Sequence, residues 1–170
     1  MTNLRVVGLD ISTYTGVALA SGEEIIGKTI DFPKLRGLER LHLIAQETER
    51  VIKLWQPDLI VIEGYAIYRA SSAVTVVSCG AVVRYVLYQM GFGWWEVPPS
   101  SLKKWTTGRG NASKDEMAVS VKSRWGYASP SDDIVDAVAL AKLGQAVAQN
   151  MQWSSIKGVS CHGKLAIHKE

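Results

Sequence analysis

The chain has 170 residues, 47% hydrophobic and 21% charged, which suits one globular domain with a single core and excludes a disordered or low-complexity polymer. The formal net charge of +3 is too small to name a polyanionic partner unless the basic residues cluster. No run of about 18 apolar residues offers a membrane span, the opening Met1-Thr2-Asn3-Leu4-Arg5 lacks the features of a leader, and the cysteines are only Cys79 and Cys161, so the expectation is a cytoplasmic protein with free thiols.

Leu4 to Ile11 is rich in β-branched residues and predicts a strand. Ser12-Thr13-Tyr14-Thr15-Gly16 is turn chemistry, Val17 to Ala20 a second strand, and Glu24 to Ile30 a third, so the start reads as an antiparallel meander. From Leu38 the period becomes helical. Leu41, Ile44, Ala45, Thr48, Val51, Ile52 and Trp55 share one face, with Glu39, Arg40, Glu47, Glu49 and Arg50 on the other, and Pro57 stops the helix. Leu59-Ile60-Val61-Ile62 is apolar on both faces, as in a central parallel strand, and ends in Glu63.

Ser71 to Met90 predicts a helix apolar around most of its circumference, which either lies deep in the core or shares a face with a second subunit. Phe92 to Val97 predicts a fifth strand, closed by Pro98-Pro99. A basic stretch, Leu102-Lys103-Lys104-Trp105, leads to the Gly108-Arg109-Gly110 loop. Ser113 and Glu116 fit a capping box for a helix running to about Trp125. A last helix is expected from Asp132 or Asp133 to about Gln149, so that the fold unit spans 1–150 and 151–170 forms a loose tail. The order β-β-β-α-β-α-β-α-α predicts an α/β fold, a mixed five-stranded sheet covered by helices.

Four carboxylates stand out by position: Asp10 near the end of the first strand, Glu63 at the end of the fourth, and Asp133 and Asp136 one turn apart at the start of the last helix. Singly, a strand-end Asp is a turn former and an Asp in a first helical turn caps the helix, the role that Asp132 keeps. Together, at one edge of a parallel sheet and without basic partners, they would repel unless a cation sat among them. Oxygen-only ligands suit Mg²⁺ or Mn²⁺ rather than Zn²⁺. Two such ions about 4 Å apart clamp both oxygens of a phosphodiester displacement.

The residues Gly8-Leu9-Asp10-Ile11-Ser12, Ile62-Glu63, Gly110-Asn111-Ala112-Ser113-Lys114 and Asp132-Asp133-Ile134-Val135-Asp136-Ala137 stand in the order and near the spacing of one family. On these anchors, over roughly Arg5 to Gly144, the chain resembles the RuvC family of Holliday junction resolvases, which have the ribonuclease H-like fold. The resemblance implies a homodimer, hydrolysis with two metal ions per site, and paired nicks in four-way DNA junctions. It assigns the metal to Asp10, Glu63, Asp133 and Asp136, places Lys114 near the phosphate, and matches Lys104 to another basic position. The family sets an aromatic wedge three residues after the Glu, where this chain has Ala66, so Tyr65 or Tyr68 is expected to stack on a junction base. Phage-borne relatives relax junction specificity, and action on other branched DNA stays open beside strict resolution.

Arg69, Lys103, Lys104, Arg109, Lys114, Lys122 and Arg124, with Trp105 and Tyr68 among them, fit a groove that tracks phosphates. Tyr65, Tyr68, Arg69, Lys104, Arg109 and Lys114 are the expected DNA contacts. Cys161, His162 and His168 match no closed zinc site. Two alternatives remain open at this stage. One is a ribonuclease H acting on RNA–DNA hybrids. The other is a nucleotide-binding domain of the actin and sugar-kinase type, which Asp10-Ile11-Ser12-Thr13-Tyr14-Thr15-Gly16 also resembles.

Overall fold

The structure, a computed structural model, describes residues 3–65, 70–149 and 152–163. Three strands, β1 (Arg5–Asp10), β2 (Tyr14–Ser21) and β3 (Glu24–Asp31), form the expected meander. Helix α1 (Gly37–Trp55) leads to β4 (Leu59–Glu63), and α2 (Ala70–Gln89) to β5 (Trp94–Val97). Three helices follow: α3 (Pro99–Thr107), α4 (Lys114–Trp125) and α5 (Asp132–Gln149). A short strand, β6 (Ser160–His162), closes the order.

The sheet runs β3-β2-β1-β4-β5-β6, with β4 parallel to β1 and to β5. Its period of two sorts the core into two layers. Val6, Leu59 and Val61 face α3, α4 and α5, whereas Val7, Ile60 and Ile62 face α1 and α2. Each layer is built of buried apolar side chains, so β1 and β4 are apolar on both sides, as the run Leu59 to Ile62 predicts. Helix α5 lies close on the sheet because small residues meet there: a methyl on Gly8 would stand 2.1 Å from the Ala137 carbonyl oxygen.

Three features differ from the sequence reading. The sheet has six strands, because residues 152–163 are not the loose tail expected: Trp153–Ser155 forms a 3-10 turn and β6 adds antiparallel to β5. Pro98-Pro99 does not merely end β5. Pro98 is the N-cap and Pro99 opens α3, a position where a missing N–H costs nothing. Arg40 is not on the solvated face of α1 but is only 8% exposed.

Other local expectations are met. Ser113 Oγ accepts a hydrogen bond from the Glu116 N–H at 3.2 Å, and the Ser113 N–H donates to Glu116 Oε2 at 2.7 Å, so α4 begins with the capping box. Helix α1 ends at Trp55, where Gln56 takes a left-handed conformation and donates to Ile52. Cys79 is buried and Cys161 exposed, both as free thiols. Among the described residues no helix is long and apolar enough to cross a membrane.

Candidate active site

The parallel register pairs Leu9 with Ile62, so the next residues, Asp10 and Glu63, end neighbouring strands side by side. Asp10 also stands opposite Gly16 on β2. The first turn of α5 rests on that glycine, where a methyl would lie 2.0 Å from the Asp133 carbonyl oxygen. A side chain at position 16 would therefore hold α5 away, and its absence lets Asp133 and Asp136 reach the strand ends.

The other three carboxylates lie near enough for their charges to act on Asp10. Burial raises the Asp10 carboxyl well above the usual carboxylate range, and the charges of Glu63, Asp136 and Asp133 push it further. Burial and the Asp136 charge bring Glu63 to about 7. Asp136 is at about 6, again mainly through burial. Asp133 is raised by burial, against the pull of Lys114. Such a group of acids is costly to ionise together and favours a cation among its oxygens. The donor set, carboxylate oxygens alone, fits a hard divalent ion. Among the described residues no three His, Cys, Asp or Glu side chains are already closed round a single ligating point, so the acids are neighbours rather than a finished cage.

Two lysines oppose this charge. Lys103 acts on Glu63 and Asp136, and Lys114 acts on Asp133 and Asp136. Lys114 Nζ also lies 2.9 Å from Asp132, which gives Asp132 a role beyond its place in the first turn of α5. The sequence puts Lys103 in the phosphate groove and Lys104 among the DNA contacts; the charge that reaches the acids is that of Lys103. The two are adjacent on α3, about 100° apart round the helix. Lys104 instead lines a hollow with Trp105 and the segment Ser155-Ile156-Lys157. The signal available in the sequence was the Pro99 start of α3, which would have fixed the helical phase.

A cavity of about 120 Å³ opens beside Asp10 and Glu63, walled by Ser12, Tyr65, Val76 and Arg84. Tyr65 does not project freely. Arg84 stacks 4.4 Å above its ring, and Gly80 leaves room for the ring's edge. Arg84 in turn makes two hydrogen bonds to Glu96 Oε2 on β5, at 3.0 and 3.2 Å. Arg109 pairs with Glu116 at 2.8 Å beside the start of α4. Arg124 lies over Trp105 and Trp125 and donates to the Trp105 and Thr106 carbonyls, so it ties α4 to α3. Ala66, Tyr68, Arg69 and His168 lie outside the described residues.

The model of the family described as crossover junction endodeoxyribonuclease RuvC matches residues 5–143. The chain belongs to the RuvC family. A RuvC of Synechococcus sp. (strain WH7803), a crossover junction endodeoxyribonuclease, is 35% identical over 108 residues, covering 62% of this chain and 70% of that one. The fold matches the Thermus thermophilus RuvC structure with a TM-score of 0.72 at 23% identity, over 85% of this chain and 95% of that one. It also matches T. thermophilus RuvC in complex with Holliday junction substrate, with a TM-score of 0.70 at 21% identity, over 81% and 90%. Membership makes the chain a junction-cutting endodeoxyribonuclease with the ribonuclease H-like fold. It also decides against the actin and sugar-kinase reading. Branched DNA is the family's substrate and a divalent metal its cofactor.

Proposed function

We propose that this protein is a cytoplasmic homodimer that resolves four-way DNA junctions by nicking one strand at each of two sites, with Asp10, Glu63, Asp133 and Asp136 holding two Mg²⁺ ions, or Mn²⁺ in their place. The observation that carries this reading is the convergence of the four acids, each with a raised pKa, at the ends of β1 and β4 and the start of α5. Held by these four carboxylates, the ions would supply charge neutralisation and Lewis-acid polarisation of the phosphodiester. Lys114 and Lys103 then face the phosphate from α4 and α3 and offset the charge that grows on its oxygens. Tyr65, which walls the cavity, and Arg109 are further DNA contacts, and Lys104, Tyr68 and Arg69 complete the set expected from the sequence.

The dimer rests on α2. One side of this helix buries Cys79, Val83, Val86 and Leu87, while Val74, Val77, Tyr85 and Tyr88 form an apolar stripe on the other and stay exposed. A second copy is the commonest cover for such a stripe, and two-fold symmetry then gives two sites for two strands.

The deciding experiment incubates the protein and Mg²⁺ with labelled four-way junction, flap, fork, plain duplex and RNA–DNA hybrid, and maps the nicks. Symmetric nicks in the junction are expected. Preferential cutting of the hybrid would move the assignment to a ribonuclease H.

A further inference from the structure

A second hollow, of about 400 Å³, adjoins the catalytic cavity: Val76 lines both, and Thr13 continues directly from Ser12. Among the described residues its polar lining is Thr13, Tyr14, Arg36, Arg40 and Thr75, with no carboxylate. Arg40 is the unusual member. It is 8% exposed, its Nε has no hydrogen-bond partner, and among the described residues its guanidinium makes no ion pair. It sits between α1 and α2, near enough to Cys79 for its charge to act on the thiol. The acids near it along α1 do not serve it: Glu39 is exposed, and Glu47 is taken by Lys28 and Arg50. Buried guanidinium groups are almost always paired, because an uncompensated charge away from water is strongly unfavourable.

The backbone adds to the same field. Arg36 is the N-cap of the 19-residue α1 and gives it no side-chain cap, so the positive end of that helix borders the hollow with its first N–H groups free of a side-chain acceptor. Arg36 itself turns two hydrogen bonds to the Pro33 and Leu35 carbonyls, which fixes its guanidinium at the rim. Two arginines, two threonine hydroxyls and a tyrosine, with one guanidinium unpaired among the described residues, match the chemistry of a phosphate-type anion.

We infer that this hollow seats a backbone phosphate of the DNA strand that continues past the scissile phosphate. The inference rests on the proposed junction-cutting function. The shared wall at Val76 favours a phosphate of the same strand over a free anion, since a strand leaving one hollow enters the other. Arg40 would then set the path of the strand across Asp10 and Glu63 without touching the reacting atoms.

The test measures four-way junction binding by the full chain without cutting, in Ca²⁺, across a salt series. Arg40→Gln should weaken binding by on the order of tenfold and lower the slope of log K against log salt by about one, as for one lost phosphate contact. A junction carrying a single neutral methylphosphonate next to the cut position should bind the parent as weakly and cost the variant nothing more. Parent affinity and slope in a folded Arg40→Gln protein would overturn the inference. If Arg40→Gln does not fold, Arg36→Ala at the exposed rim carries the same test, and an unchanged slope there overturns it equally. Stabilisation of the parent by inorganic phosphate with no change of slope in either variant would mark a free-anion seat, which also overturns it. Cutting is scored separately with Mg²⁺, so a parent that binds but does not cut speaks against the proposed function alone.

Discussion

Asp10 and Glu63 end two parallel neighbouring strands, where burial raises both carboxyls above the usual carboxylate range, and retaining a proton or gaining a cation relieves that arrangement. Replacing either by its amide removes the charge and leaves the shape. Asp10→Asn, Glu63→Gln and Asp136→Asn should each abolish junction cutting while junction affinity stays within a fewfold of the parent, because affinity comes mainly from phosphate contacts. Gel-shift and nicking assays on the same samples check this. Asp10→Asn protein that cuts at the parent rate would remove the site.

The same acids predict how stability follows pH in metal-free protein. Glu63 is held at about 7 and Asp136 at about 6, both above their ordinary values of 4.5 and 3.8. The folded state therefore binds more protons than the unfolded one in that window, and stability falls as pH rises from about 4.5 through about 7. Glu47 has the opposite sign. Its hydrogen bonds with Arg50 and Lys28 hold it at about 2, so its contribution is lost only in more acid solution. The melting temperature in EDTA should thus decline from about pH 5.5 to about pH 8, and Mg²⁺ should raise it most at the alkaline end, where the ligands are already deprotonated. A flat profile with no response to Mg²⁺ would contradict the site.

Lys103 and Lys104 separate by mutation. Of these two, Lys103 is the one whose charge acts on Glu63 and Asp136. Lys103→Ala should slow cutting at least tenfold, about 1.4 kcal/mol, and move the acid limb of the rate profile upward in pH, since a cation beside the acids has gone. Lys104→Ala should cut within a fewfold of the parent. Equal losses would mean that both lysines serve only to hold DNA.

What the sequence disclosed follows from what each residue's environment repeats. The strands at Val6 to Leu9 and at Leu59 to Ile62, helix α1 and the position of Glu63 were legible because burial imposes a period over several residues. Strand β6 was not: its three residues are exposed, and it is held by backbone pairing to the edge of β5 with His162 stacked on Trp94, contacts that leave no burial period in the sequence. Helix α3 has nine residues and opens on a proline pair that also reads as a strand stop. Without α3 there was no helical phase to choose Lys103 over its neighbour. Arg40 was assigned to the solvated face because charge usually goes there; its burial is set by the packing of α2 against α1.

The exposed stripe on α2 gives a direct test of the proposed dimer. Tyr88 is 70% exposed and Val74 76%, large apolar groups with no cover in one protomer. Val77→Glu with Tyr88→Glu should yield a monomer of unchanged melting temperature by light scattering, and that monomer should nick single strands without pairing the cuts. A double variant that remains dimeric would place the interface elsewhere.

Gly16 ties the fold to the chemistry, and its substitution should show this most sharply. Its backbone pairs with Asp10 on one side and supports the first turn of α5 on the other. A methyl there would lie 2.0 Å from the Asp133 carbonyl oxygen and 2.3 Å from its carbon, backbone atoms that can yield only if α5 moves as a body. Gly16→Ala should therefore cost about 1–3 kcal/mol of stability, the usual range for overpacking. It should also raise the Mg²⁺ concentration needed for cutting, because Asp133 and Asp136 move with the helix. A destabilised control separates the two effects. Gly126 takes a φ of +68° with nothing within 4 Å of an added methyl, so Gly126→Ala loses stability through backbone strain alone. At a temperature where both variants are folded, Gly126→Ala should keep the parent's Mg²⁺ dependence and Gly16→Ala should not. If the two behave alike, the close approach at Gly16 serves packing only and does not place the acids.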